Sequence, residues 1–292
     1  MSYGEVERLR DIMATPHDNP PRWLLMLTAY LDESWETVKT HFIVAGFLGT
    51  DNQWIAFASD WRSAVGSDGF HTKKLNFESE RTRKKLIKLG EIPHKHGLRP
   101  LVGAVKIVDY AELLANDLER RMMNGYSVAL YPLVIGCYKA IPPNERVKWV
   151  FEEQRVYEVT AREVLASMIP RVGSERISGV EFLSKGQTSL TQPADFLAYA
   201  TLQGLLDPSS NKATWSRPIL GDGKHIGRIM ERDAIRSIMN KMLPEIRTKT
   251  YERNKEAYDS MDHFTQRMED LRAEQLKNFF FSRKEKLRGE QK

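Results

Sequence analysis

The fold class that the sequence predicts is α/β, with a β-sheet of mixed direction flanked by helices, and two observations carry it. The first is order. Two β-like apolar runs, Trp23 to Leu31 and His41 to Leu48, come early and close together, whereas the later strand-like runs are interleaved with helical segments. Early neighbours pair as a hairpin, and strands separated by helices add to the same sheet by crossovers. The second is size: 292 residues, 41% of them apolar, suffice for one large domain or one domain with an elaboration.

The elements follow in chain order. Residues 1–20 read as a short amphipathic helix or arm through Val6, Leu9 and Ile12, stopped by Pro16, Pro20 and Pro21. Polar Glu33 to Lys39 is the turn of the hairpin. Asp51-Asn52 caps a helix on which Trp54, Phe57, Ala58, Trp61 and Val65 recur at helical spacing. Gly66 to Asn76 is a loop or short strand, Glu78 to Gly90 a strongly basic helix, and Leu101 to Val108 a third strand. Two helices, Tyr110 to Met123 and Tyr126 to Ile141, end at Pro142-Pro143. Arg146 to Phe151 and Ile177 to Leu183 are strands on either side of a helix from Tyr157 to Ile169, and Gln192 to Leu206 is a final core helix. This places the domain at 21–206, followed by an exposed loop, 207–228, rich in Pro and Gly. From residue 229 the chain reads as a C-terminal helical extension whose apolar stripe, Met261, Phe264, Met268 and Leu271, would dock on the domain, on a second copy in a homo-oligomer, or on a partner subunit. Phe279-Phe280-Phe281, next to a basic tail, adds aromatic surface.

Composition excludes several classes. No apolar run approaches the ~20 residues that span a bilayer, and the first twenty residues lack the basic-then-apolar order of a signal peptide. The expected location is cytoplasmic, with no membrane partner. The single cysteine, Cys137, excludes an internal disulfide, and its neighbours Val134, Ile135 and Tyr138 make it a packing residue. A net charge of +5 and a pI of about 9.1 favour a polyanionic partner, because displaced counterions drive association with nucleic acid. There is no GxxxxGK[ST] loop, no GxGxxG after a strand and no GxSxG elbow.

Three acidic positions lie at the ends of core elements: Asp32-Glu33 after the first strand, Glu152-Glu153 after the fourth, and Asp195 in the first turn of the final helix. A carboxylate there is unusual because the element around it is buried, and clustered carboxylates repel unless a cation neutralises them. That pattern points to a divalent-metal site of the kind used on phosphodiesters. Asp32 and Glu33 point to opposite faces of a strand, so regular geometry sends at most one into a shared site, and a polar turn is the competing reading. Alternation does not decide between Glu152 and Glu153, which also fit a solvated strand end. An acid at Asp195 also complements the helix dipole.

The motifs Tyr30-Leu31-Asp32-Glu33-Ser34, Phe42-Ile43-Val44-Ala45-Gly46, Phe70-His71, Phe151-Glu152, Ser184-Lys185 and Gln192-Pro193-Ala194-Asp195-Phe196-Leu197-Ala198 together resemble the uncharacterised bacterial and phage family called DUF3800. The likeness runs from about residue 25 to about residue 206 and departs from the family at Trp35, where glycine is usual. The resemblance implies an RNase H-like fold and a metal-dependent nuclease, in a setting of phage defence or mobile elements. It implies Asp32, Glu152 and Asp195 as metal ligands, with Glu33 and Glu153 as further acids, and Mg²⁺ or Mn²⁺ as cofactor. An RNase H-like sheet puts one acid on its central first strand, another at the end of the fourth strand and a third on a helix packed against them, which suits a two-metal-ion mechanism.

His71 would deprotonate the attacking water or contact the scissile phosphate, unless it is a solvated loop residue. Ser184, Lys185 and Gln192 would contact substrate. Lys73, with Lys74, Arg81, Arg83, Lys84, Lys85 and Lys88, would track a DNA or RNA backbone, although a basic helix is more often a solvated face. Two other functions stay open on the same residues: a non-catalytic nucleic-acid- or partner-binding protein, and a metal-dependent hydrolase of a phosphorylated small molecule.

Overall fold

A computed structural model describes residues 26–35, 41–66, 70–72, 75–107, 109, 125–184, 188–223 and 225–237. The expected N-terminal helix, the helix at 110–123 and the helical extension beyond residue 237, with its apolar stripe, fall outside the described residues.

Six strands form one sheet: β1 (Met26–Trp35), β2 (His41–Thr50), β3 (Arg99–Lys106), β4 (Arg146–Glu152), β5 (Ile177–Leu183) and β6 (Ile226–Met230). Their order across the sheet is β5-β4-β1-β2-β3-β6. β1, β2 and β3 run as an antiparallel meander, β4 is parallel to β1, β5 to β4, and β6 to β3. The mixed α/β sheet that the sequence predicts is therefore present. β1 and β2 occupy the centre, covered on both faces, which is why Phe42 to Leu48 is apolar without alternation.

Two helical layers cover the sheet. On one face lie α3 (Gly125–Ala140) and α4 (Arg155–Val172), packed on Leu27, Ala29, Leu31, Val147, Trp149 and Phe151. On the other lie α1 (Asp51–Val65), α2 (Glu80–Lys95) and α5 (Gln192–Leu206), packed on Tyr30, Ile43, Ala45, Phe47 and Val150. α3 is apolar nearly all round, as a helix wedged between a sheet and another helix must be. Its approach to the sheet is close enough that a Cβ on Gly103 would lie 2.0 Å from the Ala129 carbonyl oxygen. α1 is tied to the central strand by Trp54, whose indole N–H donates to the Thr28 carbonyl at 2.9 Å in a buried setting.

Four local expectations need correction. Asp32, Glu33 and Ser34 are not a turn: β1 continues through them to Trp35, and they pair with Ala45, Val44 and Ile43 of β2 respectively. The α1 cap is Thr50 rather than Asp51-Asn52. Gln53 N–H donates to the Thr50 hydroxyl at 3.3 Å, and Gln53 Oε1 accepts from Thr50 N–H at 2.8 Å, a reciprocal capping box. The stretch 207–228 is not one loop, for it contains α6 (Asn211–Ser216), a 3-10 turn (Arg217–Leu220) and the start of β6. The sheet thus reaches past residue 206 to Met230, and residues 229–230 are strand rather than helix. β6 lies so near β3 that a Cβ on Gly227, at φ +111°, would meet the Val102 carbonyl at 2.1 Å. Among the described residues no helix is long and apolar enough to cross a membrane.

Gly103→Ala should force α3 away from β3, because the Ala129 carbonyl is helix backbone and yields little. The expected loss is about 1–3 kcal/mol, measured as a lower urea midpoint with an unchanged denaturant slope.

Candidate active site

β1 and β4 build the first half of the site. They are parallel and in register from Met26↔Arg146 to Leu31↔Phe151, so the next residues, Asp32 and Glu152, emerge side by side. Alternation decides their face. Tyr30 and Val150 face α1 and α5, and two residues further Asp32 and Glu152 do the same. Glu33 and Glu153 take the opposite parity. Glu33 is buried on the side of α3 and α4, where its charge, after burial itself, pushes the phenols of Tyr126 and Tyr157 upward, the latter to about 12. Those two rings are stacked with centroids 4.7 Å apart. Glu153 is exposed, and its N–H donates to the Leu183 carbonyl at 2.8 Å.

α5 supplies the third acid. It crosses β1 and β2 and carries Asp195 in its first turn, where the helix dipole favours a negative charge. The start of α5 is fixed by Trp61, whose indole N–H donates to Gln192 Oε1 at 2.9 Å. Gln192 therefore braces α1 against α5. An aromatic chain continues the brace: Trp61 meets Phe70 edge-on at 5.6 Å between centroids, and Phe70 meets Phe196 at 5.4 Å. Phe70 in turn delivers His71 and Thr72 to Asp195. Thr72 donates to Asp195 Oδ2 twice, from its hydroxyl at 2.7 Å and from its backbone N–H at 3.2 Å. His71 Nδ1 stands 3.5 Å from the same oxygen, with side-chain exposures of 28% for His71 and 17% for Asp195.

Electrostatics single out Asp32. It is 4% exposed, and its carboxyl is held well above the usual carboxylate range, first by burial and then by the charges of Glu33, Glu152 and Asp195. Against these stands the Glu33 backbone N–H, which donates to Asp32 Oδ1 at 2.8 Å. Asp51, elsewhere on the same face, shows the contrast: burial raises it too, but Lys148 offsets part of the shift. Lys148 also pairs with Glu181 at 2.8 Å. Among the described residues no cation performs that service for Asp32. Tyr199 feels the cluster as well, its phenol pushed up to about 12 by burial and by Asp195.

The structure thus brings Asp32, Glu152, Asp195 and His71 to one region, and sends Glu33 and Glu153 elsewhere. Ser184 follows directly on β5 and is half-buried. Lys73 and Lys185 lie outside the described residues. Thr72, the residue in firmest contact with Asp195, escapes sequence reasoning, since a lone threonine in a loop carries no signal of its role.

The donor set is all oxygen, which suits Mg²⁺ or Mn²⁺ rather than zinc. A buried carboxyl surrounded by carboxylates, and offset by no described cation, fits a divalent ion in charge. Among the described residues no three His, Cys, Asp or Glu side chains stand close enough together to hold a metal ion as they are, so loading would need side-chain movement. No family model matches the chain and no curated protein is similar to it. The likeness to DUF3800 accordingly rests on the motifs alone.

The raised Asp32 carboxyl has a consequence for stability in metal-free protein. The folded state keeps the Asp32 proton to higher pH than the unfolded chain, so it binds more protons from the ordinary carboxylate value, about 4, up to the raised one. Stability from this group falls as pH rises through that window. Asp32→Asn should remove the decline and melt higher than wild type at pH 7 without metal, by about 2–4 °C for each kcal/mol relieved. Thermal melts of both proteins from pH 4 to 7 in chelator check this; parallel curves would contradict it.

Proposed function

We propose that this chain is a divalent-metal-dependent nuclease that hydrolyses phosphodiester bonds of DNA or RNA on an RNase H-like sheet. The observation that carries the reading is the arrival of Asp32, Glu152 and Asp195 on one sheet face from three separate elements. The strand order adds support. A meander β1-β2-β3, with β4 and β5 added in parallel beside β1, has Asp32 on a central first strand and Glu152 at the end of the fourth, as an RNase H-like sheet would, and β6 is an addition at the far edge. The DUF3800-like motifs fall on the same residues.

In this reading Asp32, Glu152 and Asp195 hold Mg²⁺ or Mn²⁺, which when bound supplies the positive charge that activates water and stabilises the leaving oxygen. The chain's own side chains do the rest. Thr72 keeps Asp195 in place, and His71, beside Asp195 and partly open to solvent, takes up a proton or meets a phosphate oxygen. Exposed Arg81, Lys84 and Lys88 on α2, a helix that follows the Thr72 segment, present a basic face to a polyanion. The face is sequence-neutral, since backbone contacts position a nucleic acid without reading its bases.

Cleavage of single- and double-stranded DNA and RNA should require Mg²⁺ or Mn²⁺. Asp195→Asn, which keeps the shape and removes the charge, should lower the rate by on the order of 100-fold or more with the melting temperature retained. Full activity in folded Asp195→Asn would remove the assigned role. Binding without cleavage by wild type would favour a nucleic-acid-binding protein, and cleavage of mononucleotides but not polymers would favour a small-molecule phosphohydrolase.

A further inference from the structure

We infer that Trp215, flanked by cations, is a stacking platform for an unpaired base, so that the partner of this surface is a single-stranded nucleic acid. The inference rests on the reading of the chain as a nuclease and needs no bound metal. Among the described side chains, Trp54, Trp61 and Trp149 are wholly buried, and each donates its indole N–H inside the protein. Trp215 differs on both counts. It is half-buried, and among the described residues nothing accepts from its N–H. A tryptophan kept for packing usually pairs that group.

The ring is backed by other rings. Trp215 lies on Phe77 and Phe77 on Tyr199, with centroids 6.3 and 5.6 Å apart and both pairs tilted by 24°. Phe77 and Tyr199 are buried, so Trp215 is the outer end of the pile. Tyr199 stands one helical turn after Asp195 on α5, and the pile therefore leads outward from the acidic centre. The segment carrying Trp215 is fastened to α2: His94 Nε2 meets the Ile219 carbonyl at 3.0 Å, and a Cβ on Gly90 would lie 2.7 Å from the Ile219 nitrogen. A platform fixed in advance gives up little freedom when a base lands on it.

Positive charge surrounds the ring. Lys212 and Arg217, on either side of Trp215 in sequence, are exposed. α2 begins shortly after Phe77, and its exposed Arg81, Lys84 and Lys88 recur along one side of the helix. Two of the acids nearby are engaged within the protein: Glu80 pairs with Arg83 at 3.1 Å, and Asp207 accepts from the Ser209 hydroxyl at 2.6 Å. Glu78 and Glu91 are the exposed acids that stand against the five cations. Cations that follow phosphates beside a ring that takes a base face are what single-strand binding uses. In a duplex those faces are covered by neighbouring bases, so the cations act there without the ring.

Fluorescence anisotropy on the full chain, in chelator, tests this with labelled oligothymidine, oligouridine and a duplex of the same length. Trp215→Leu should weaken whichever single strand wild type binds by about 5- to 150-fold, the worth of one stacked base, and leave duplex binding unchanged. Trp215→Phe should restore most of the loss. Arg81→Gln with Lys84→Gln should instead weaken strand and duplex alike and flatten the salt dependence of both. Wild-type affinity for single strands in folded Trp215→Leu overturns the platform and leaves the nuclease reading standing. An equal loss on strand and duplex overturns it too, as does a wild type that binds duplex alone. A wild type that binds neither removes the platform and the nuclease reading together. If Trp215→Leu does not fold, photo-cross-linking of wild type to a strand containing 4-thiouridine gives the second measurement: an adduct on Trp215 sustains the platform, and adducts confined to other residues overturn it.

Discussion

The parallel pairing of β1 with β4 is the constraint from which the rest of the site follows. Residues far apart in sequence, Asp32 and Glu152, become neighbours because Leu31 pairs with Phe151 and the two strands point the same way. A shift of one residue in that register would exchange the faces of every side chain on one strand and send Glu152 toward α3 and α4. Both faces are apolar and closely packed, so the cost of such a slip is the exposure or misfit of Trp149 and Phe151 on one side and Val150 on the other. The core therefore specifies the position of the acids. Their charge adds nothing to the specification, and in fact opposes it.

The second half of the site has a different physical origin. Asp195 arrives on a helix, and its place depends on where α5 starts along the sheet. That is set by side-chain contacts rather than backbone pairing: Trp61 to Gln192, then Trp61, Phe70 and Phe196 in edge-to-face succession. Aromatic rings suit the task because they are stiff and resist compression, so a displacement at Trp61 is passed to Phe70 and the Thr72 segment. The two supports share the core on this face and both end at the carboxylates.

The legible and illegible parts of the sequence divide on physical grounds. Trp54, Phe57, Ala58, Trp61 and Val65 announced one buried face of a helix, and all five are buried in α1. The run His41 to Leu48 announced a strand, and it is β2. The extension of β1 through Asp32, Glu33 and Ser34 was hidden, because three polar residues in a row normally end a strand, and here they are buried all the same. Glu152 could be separated from Glu153 only by knowing which face Val150 occupies, a tertiary fact. β6 was hidden for another reason: it is a five-residue edge strand containing Gly227, and glycine there serves a close backbone approach that composition reads as a loop. Thr72 gave no sign because its importance lies in the partner it meets.

The face that carries the site also carries Lys148, Glu181 and Asp51, and the comparison between the two groups explains why they differ in character. Lys148 is mostly buried and stands against Glu181 and near Asp51, so the acids there have a resident counter-charge, although burial still leaves the Asp51 carboxyl raised. Buried ion pairs of this kind contribute little net stability, since desolvation offsets the attraction, but removing one partner is costly. At Asp32 the offsetting influence described is a single backbone N–H, set against burial and three carboxylates. A fold selected for stability alone would replace Asp32 with an apolar residue, as the neighbouring strand positions Tyr30 and Leu31 illustrate. Retaining a carboxyl there leaves an electrostatic deficit that a mobile cation can satisfy, and which a fixed lysine would close permanently. The two acid groups of this face therefore differ in one respect: a lysine stands among Asp51 and Glu181, whereas the described support of the carboxyl at the end of β1 is a backbone N–H.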